Sequence, residues 1–158
     1  MAEPIKPLEC NCAAIRQAAR HVTRHYDQHM AQVGLRSSQF SILTKLKRMG
    51  PLGINALAAA MGMDRTTLGR NLRPLERSGL VSLEVDPDDR RSRRLVVTEL
   101  GRTLLEQARP AWQAAQLQFE KSFGRDESAA LRALLRTITK TRLAAPRRSS
   151  AGSAMGKD

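Results

Sequence analysis

Aromatic side chains are scarce: one Trp, one Tyr and three Phe in 158 residues. That argues against a surface that grips single-stranded nucleic acid by stacking bases on rings. It also leaves the core to Leu, Ala, Met, Val and Ile, a set that favours helices. Cysteine is nearly absent, with only Cys10 and Cys12, one residue apart. A pair that close closes no useful loop, so a disulfide framework is not expected. No apolar run approaches the ~18 residues of a membrane span, and the N-terminus lacks the basic-then-apolar order of a secretion signal. A cytoplasmic chain with no membrane partner is expected. The sequence also lacks a glycine-rich phosphate loop, a paired acidic motif and a nucleophile with a recognisable base. An enzyme is therefore not expected, and neither is a cofactor.

Acidic residues are outnumbered, 15 against 27 Lys and Arg, giving a formal charge of +12 and a pI near 11.1. Such a surface attracts polyanions, because neutralising phosphates releases counterions. Nucleic acid is the first candidate and an acidic membrane surface the second. The length suits one domain with a modest core.

Residues 1–9 carry two prolines and little periodicity and read as a flexible arm. From about Cys10 to Val33, Ile15, Ala18, Ala19, Val22, Tyr26, Met30 and Val33 recur at helical spacing. Arg16, Arg20 and Arg24 step along the opposite side. Ser37 or Ser38 is placed to cap a second helix carrying Phe40, Ile42, Leu43, Leu46 and Met49, which Gly50-Pro51 ends. After a short extended link, Leu52 to Ile54, Asn55 is read as the cap of a brief helix, Ala56 to Met61, closed by Gly62. Asp64 caps the next helix, and the two short helices form a helix-turn-helix step.

In that second short helix Leu68, Leu72 and Leu75 give an inward seam, while Pro74 predicts a kink or a tightened last turn. Two extended runs follow, Leu80–Val85 and one ending at Thr98, around an acidic and then basic tip from Asp86 to Arg94. Helix, strand, charged tip, strand is the order of a winged helix-turn-helix, whose helix fits the DNA major groove and whose tip reaches a neighbouring minor groove. Thr98 then caps a long helix through Leu100, Leu104, Leu105, Ala108, Trp112, Ala115, Phe119 and Phe123, bent at Pro110 and broken at Gly124. Asp126 is read as the cap of a last helix bearing Leu131, Leu134, Leu135 and Ile138. Residues 144–158 are small and polar and read as a disordered basic tail.

The first and the two last helices carry more apolar stripe than a small winged head covers, so a homodimer is expected. Two identical heads would then read a two-fold operator with half-sites about one helical turn apart.

With these residues in hand, the chain resembles the MarR family of bacterial transcriptional regulators. The family's wing pattern, D-x-R, five residues, L-T, is matched by Asp89-Arg90-Arg91, SRRLV and Val97-Thr98, with Val97 in place of leucine. Leu57-Ala58, Met63-Asp64-Arg65-Thr66-Thr67-Leu68, Arg70, Leu75-Glu76-Arg77, Gly79-Leu80-Val81 and Asp86-Pro87 also follow its order and spacing, while Pro74 and the cysteine pair depart from it. The resemblance implies a mainly α fold with a small β-wing: a winged helix-turn-helix head at about 37–98 plus N- and C-terminal dimerisation helices at about 10–33 and 99–143, all within a single domain, 10–143. It implies a transcriptional repressor that binds double-stranded DNA sequence-specifically, and it implies minor-groove insertion for Arg91.

Arg90, Arg93 and Arg94 would then hold phosphates, with Asp89 orienting Arg91. The bland reading of this tip is a solubilising hairpin. Thr66, Thr67, Arg70 and Asn71 have the chemistry for base edges. Arg65 and Arg73 join them as DNA contacts, unless, like Arg77, they pair with Asp64 or Glu76. His21, His25 and His29 step by four, but projection on a helix does not bring them to one face, so no metal site is assigned. The resemblance also implies that small aromatic or other effectors bind between the dimerising helices and the head. His25, Tyr26, His29 and Trp112 are candidates there, with ordinary packing the equal alternative. Cys10 and Cys12 sit at a helix start, where the dipole favours reactivity toward oxidants and electrophiles. Incidental or buried cysteines are the competing reading, and a bridge within one chain would be strained. An architectural, largely non-specific DNA-binding protein is the main alternative function.

Overall fold

The N-terminal apolar spacing folds as α1 (Asn11–Met30), continued by a 3-10 turn at Ala31–Val33. The computed structural model describes residues 10–143. The arm expected at 1–9 and the tail expected at 144–158 lie outside them. The chain proceeds through α2 (Ser37–Met49), β1 (Leu52–Gly53), α3 (Ile54–Met61), α4 (Arg65–Arg77), β2 (Val81–Val85), β3 (Arg93–Val97), α5 (Glu99–Phe123) and α6 (Arg125–Lys140). This is the mainly α architecture with a small β-wing that the sequence pattern calls for.

The sheet is antiparallel in the order β1-β3-β2. The extended link before α3 is thus a third strand, with Leu52 opposite Leu95. Across the hairpin Val81 faces Val97 and Val85 faces Arg93. The Asp86 N–H donates to the Ser92 carbonyl at 3.1 Å and closes the tip. Arg93 and Arg94, expected in that tip, are instead the first two residues of β3.

The core fills the head and extends to Met30 of α1 and Leu105 of α5. Met30, Ile42, Leu43, Leu57, Leu68, Leu75 and Leu95 are fully buried, joined by Leu46, Leu72, Val81, Val97 and Leu105. Each such side chain stabilises the fold by roughly 1.5–3 kcal/mol relative to exposure. The leucine seam of α4 is therefore what fixes which of its faces points outward.

Three expected caps are corrected. Ser37 is already helical, because its N–H and hydroxyl both donate to Asp27 of α1, and Arg36 is the extended residue before it. Ser38 falls in the same first turn. The chain turns helical at Ile54 behind an extended Gly53, so Asn55 lies inside α3. Gly124, at φ 105, is the junction before α6, which leaves Asp126 in the first turn, where its charge complements the helix dipole.

Neither Pro74 nor Pro110 interrupts its helix. The last turn of α4 closes with Gly79 at φ 67. The Gly79 N–H reaches Glu76 at 3.0 Å and the Leu80 N–H reaches Leu75 at 2.9 Å. That is a Schellman ending, and it satisfies carbonyls a helix end leaves free.

Two compact units are distinguished, one through Phe119 and one from Glu120. In the first, every residue from Asn11 to His21 is exposed, Ile15 included. In the second, Leu134, Leu135 and Ile138 of α6 are exposed, Leu134 at 64%. Among the described residues no helix is long and apolar enough to cross a membrane.

Candidate nucleic-acid interface

Asp64 starts α4. Its carboxylate accepts from the Thr67 N–H at 2.8 Å and from the Thr67 hydroxyl at 2.6 Å. Those bonds, the hydroxyl first, hold its pKa below the usual 3.8, so the cap is anionic at neutral pH. Gly62, left-handed at φ 63, ends α3 two residues earlier and makes the turn.

With Leu68, Leu72 and Leu75 turned inward, Arg65, Thr66, Thr67, Arg70 and Arg73 are exposed on α4. Arg65, Arg73 and Arg77 do not pair with Asp64 or Glu76. The ion pairs among the described residues are Lys47–Glu106, Arg102–Glu99, Arg109–Glu106 and Arg132–Glu120. Among the described residues the arginines of α4 thus have no carboxylate partner.

Asn71 behaves differently from its neighbours. It is only half exposed. Its amide nitrogen donates to the Thr67 carbonyl at 2.9 Å, and its amide oxygen accepts from the Ser38 hydroxyl at 3.1 Å.

In the wing, Arg90 and Arg91 lie in the loop and are exposed, as is Arg93. Asp89 accepts from the Arg91 backbone N–H at 3.0 Å and from the Ser92 hydroxyl at 2.5 Å. It therefore orients the backbone at Arg91 and makes no bond to the guanidinium. Those two bonds, Ser92 first, lower its pKa. Arg94 sits in the central strand opposite Glu84 and Gly53, half-buried, with its Nε buried and unpartnered. Of the four wing arginines it is the one least free to reach a phosphate.

The four residues considered for an effector separate. The His25 Nε2 donates to the Ala115 carbonyl at 2.9 Å, and the His29 ring bonds the His25 carbonyl at 2.9 Å and Gln118 at 3.0 Å. Both histidines tie α1 to α5 and line neither of the cavities described next.

Trp112 stacks on Phe40 with ring centres 6.0 Å apart and 20° between planes. The stacked pair borders two cavities. One, of about 450 Å³, is lined also by Thr44, Lys47, Arg48, Leu105, Glu106, Arg109 and Gln113. The other, of about 210 Å³, is lined also by Val22, Thr23, Tyr26, Ser37 and Ser41. Tyr26 and Trp112 are thus brought together, and the lining residues of α2 were missed. Their spacing, Phe40, Thr44, Lys47 and Arg48, was the available signal, one helix face mixing a ring with cations. Cys10, at the start of α1, and Cys12 are free, exposed thiols.

Comparison with known proteins agrees with this geometry. The MarR family profile matches residues 35–92. The transcriptional repressor NicR of Pseudomonas putida is 32% identical over 125 residues, 78% of each chain. Two uncharacterised HTH-type transcriptional regulators of Bacillus subtilis are 28% and 33% identical, and the chain spans 61% and 57% of their lengths. Among solved structures, the Mycobacterium tuberculosis regulator MosR in complex with DNA is 34% identical with a TM-score of 0.72, covering 85% of this chain and 100% of that one. The transcriptional repressor CouR, bound to a 23-mer DNA duplex, is 28% identical with a TM-score of 0.76, covering 88% and 100%. On the winged helix-turn-helix, the matched segment and the relative aligned over most of both chains, this chain belongs to the MarR family of transcriptional regulators.

Proposed function

We propose that the chain is a sequence-specific, cytoplasmic DNA-binding repressor that acts as a homodimer on a palindromic operator. The observation that carries this reading is α4 itself, whose leucine seam turns Arg65, Thr66, Arg70 and Arg73 outward, its arginines in no ion pair with another described residue. Beside it stands a wing with Arg90 and Arg91 at its exposed loop. The helix enters the major groove, Arg91 enters the flanking minor groove, and Arg90 and Arg93 hold phosphates.

The domain is a single one, 10–143, with dimerisation helices at both ends of the head. The exposed Asn11–His21 half of α1 and the exposed leucines of α6 supply the apolar surface that a second copy covers. Release follows either from a small organic effector in the cavities beside Phe40 and Trp112 or from oxidation of the exposed Cys10 and Cys12.

The test is selection of binding sites from random duplex DNA by the full chain, followed by footprinting of the enriched sequence. A repressor of this kind enriches a two-fold site with half-sites about one turn apart and prefers it over bulk DNA by at least about a thousandfold. Failure to enrich any sequence would sink the reading and favour an architectural protein that coats DNA by charge alone.

A further inference from the structure

Asn71 has the side chain most often used to read adenine, on the helix expected to read bases. Its bonds point elsewhere. The Thr67 carbonyl can only accept, so the amide nitrogen must face it, and this turns the amide oxygen toward the Ser38 hydroxyl. A flipped amide would set two acceptors against each other. The amide plane is thereby fixed between α4 and the first turn of α2.

Ser38 does not stand alone in that turn. Its neighbour Ser37 gives both its N–H, at 2.7 Å, and its hydroxyl, at 2.6 Å, to Asp27 of α1. At the other end Thr67, which accepts from Asn71, donates its own N–H and hydroxyl to the Asp64 cap. A run of polar contacts thus leads from α1, through adjacent residues of α2, to the N-terminal turn of α4.

We infer that Ser38 and Asn71 form a positioning latch that sets the angle of α4 against α2, and that Asn71 does not read a base. The latch rests on the DNA-binding reading above and names how the binding helix is held. Ser37 also lines the smaller cavity beside Tyr26, Phe40 and Trp112. The latch is thus one residue along the chain from the lining of the site proposed for an effector.

The experiment uses the operator fragment enriched from random duplex DNA by the full-length chain. Its affinity is measured for Ser38→Ala, Asn71→Ala, the double variant and Ser38→Thr, on the fragment and on versions with each base pair changed in turn. Thermal melting of each variant is run alongside. A positioning latch predicts that either alanine variant weakens binding by about 3- to 10-fold, the loss of one hydrogen bond. The double variant is no weaker than the single ones, and Ser38→Thr, which keeps the hydroxyl, restores affinity. The pattern of base preference stays that of the parent protein.

A base-reading Asn71 gives the opposite result. Asn71→Ala then erases preference at one base pair, Ser38→Ala leaves affinity untouched, and losses add in the double variant. Any of these overturns the inference. If no fragment is enriched at the outset, it is the DNA-binding reading that fails, and the latch falls with it.

Discussion

A Cβ placed on Gly101 would stand 2.2 Å from the carbonyl oxygen of Leu80 and 2.9 Å from the Val97 side chain. The first turn of α5 thus crosses the start of the hairpin at backbone distance. Thr98 fixes the crossing: its hydroxyl donates to the Gly79 carbonyl at 2.6 Å and accepts from the Gly101 N–H at 3.1 Å, and its own N–H reaches Leu80 at 3.1 Å. One residue caps α5 and ties it to the end of α4. Gly101→Ala is expected to destabilise by ~3 kcal/mol, since the clash is with backbone that cannot rotate away. Gly69 is also helical but has open space around its Cβ position, so Gly69→Ala should stabilise by about 0.5–1 kcal/mol. Urea unfolding of the two variants measures both, and equal signs would refute the packing argument.

Acid should act on the head through the Asp64 cap of α4 and through Asp89 of the wing loop. The carboxyls of Asp64 and Asp89 are both held below the usual value, chiefly by the hydroxyls of Thr67 and Ser92 respectively. A group whose folded pKa is depressed adds stability above its unfolded pKa, ~3.9, and loses it as pH falls through the folded value. At pH 7 Asp64→Ala should therefore melt below the parent protein, and the gap should close as pH falls below about 4. An unchanged gap at low pH would show that the cap does not work through its charge.

The order of elements was legible because leucine spacing and glycine punctuation are local signals. Leu68, Leu72 and Leu75 and the closing Gly62 and Gly79 mark the head in one dimension. The caps were harder to read. Ser37 has the chemistry of a cap but spends it on Asp27, ten residues earlier, and only the packing of α1 on α2 makes that bond available. The bonds of Asn71 escaped the sequence for the same reason, since its partner Ser38 is 33 residues away. The histidines of α1 likewise find Ala115 and Gln118 of α5 at a separation no periodicity encodes.

Trp112 offers a direct readout of the cavities. It is the sole tryptophan in the chain, and with Phe40 it borders both. Titration with a simple aromatic carboxylate such as benzoate should quench its emission saturably. If the larger cavity holds the ligand, Arg48→Ala should weaken binding by about tenfold, the loss of a charge-assisted bond. Affinity unchanged in Arg48→Ala, Lys47→Ala and Arg109→Ala alike would assign the ligand to the smaller cavity, whose lining residues include no cation.

The wing arginines should separate by salt. Arg91 is exposed in the loop with its backbone pinned by Asp89, and Arg93 is exposed at the start of β3. A minor-groove side chain recognises groove width, so Arg91→Ala should weaken binding by about 10- to 100-fold and most strongly on A·T-rich flanks. Arg93→Ala should instead weaken all sequences alike and reduce the slope of log affinity against log salt by about one. Arg94→Ala is the contrast. Held in the central strand between Glu84 and Gly53, it should leave the salt slope unchanged, because removing it takes away no phosphate contact. Filter binding of the three variants across a salt series distinguishes these outcomes, and a lowered slope for Arg94→Ala would place that guanidinium on the DNA after all.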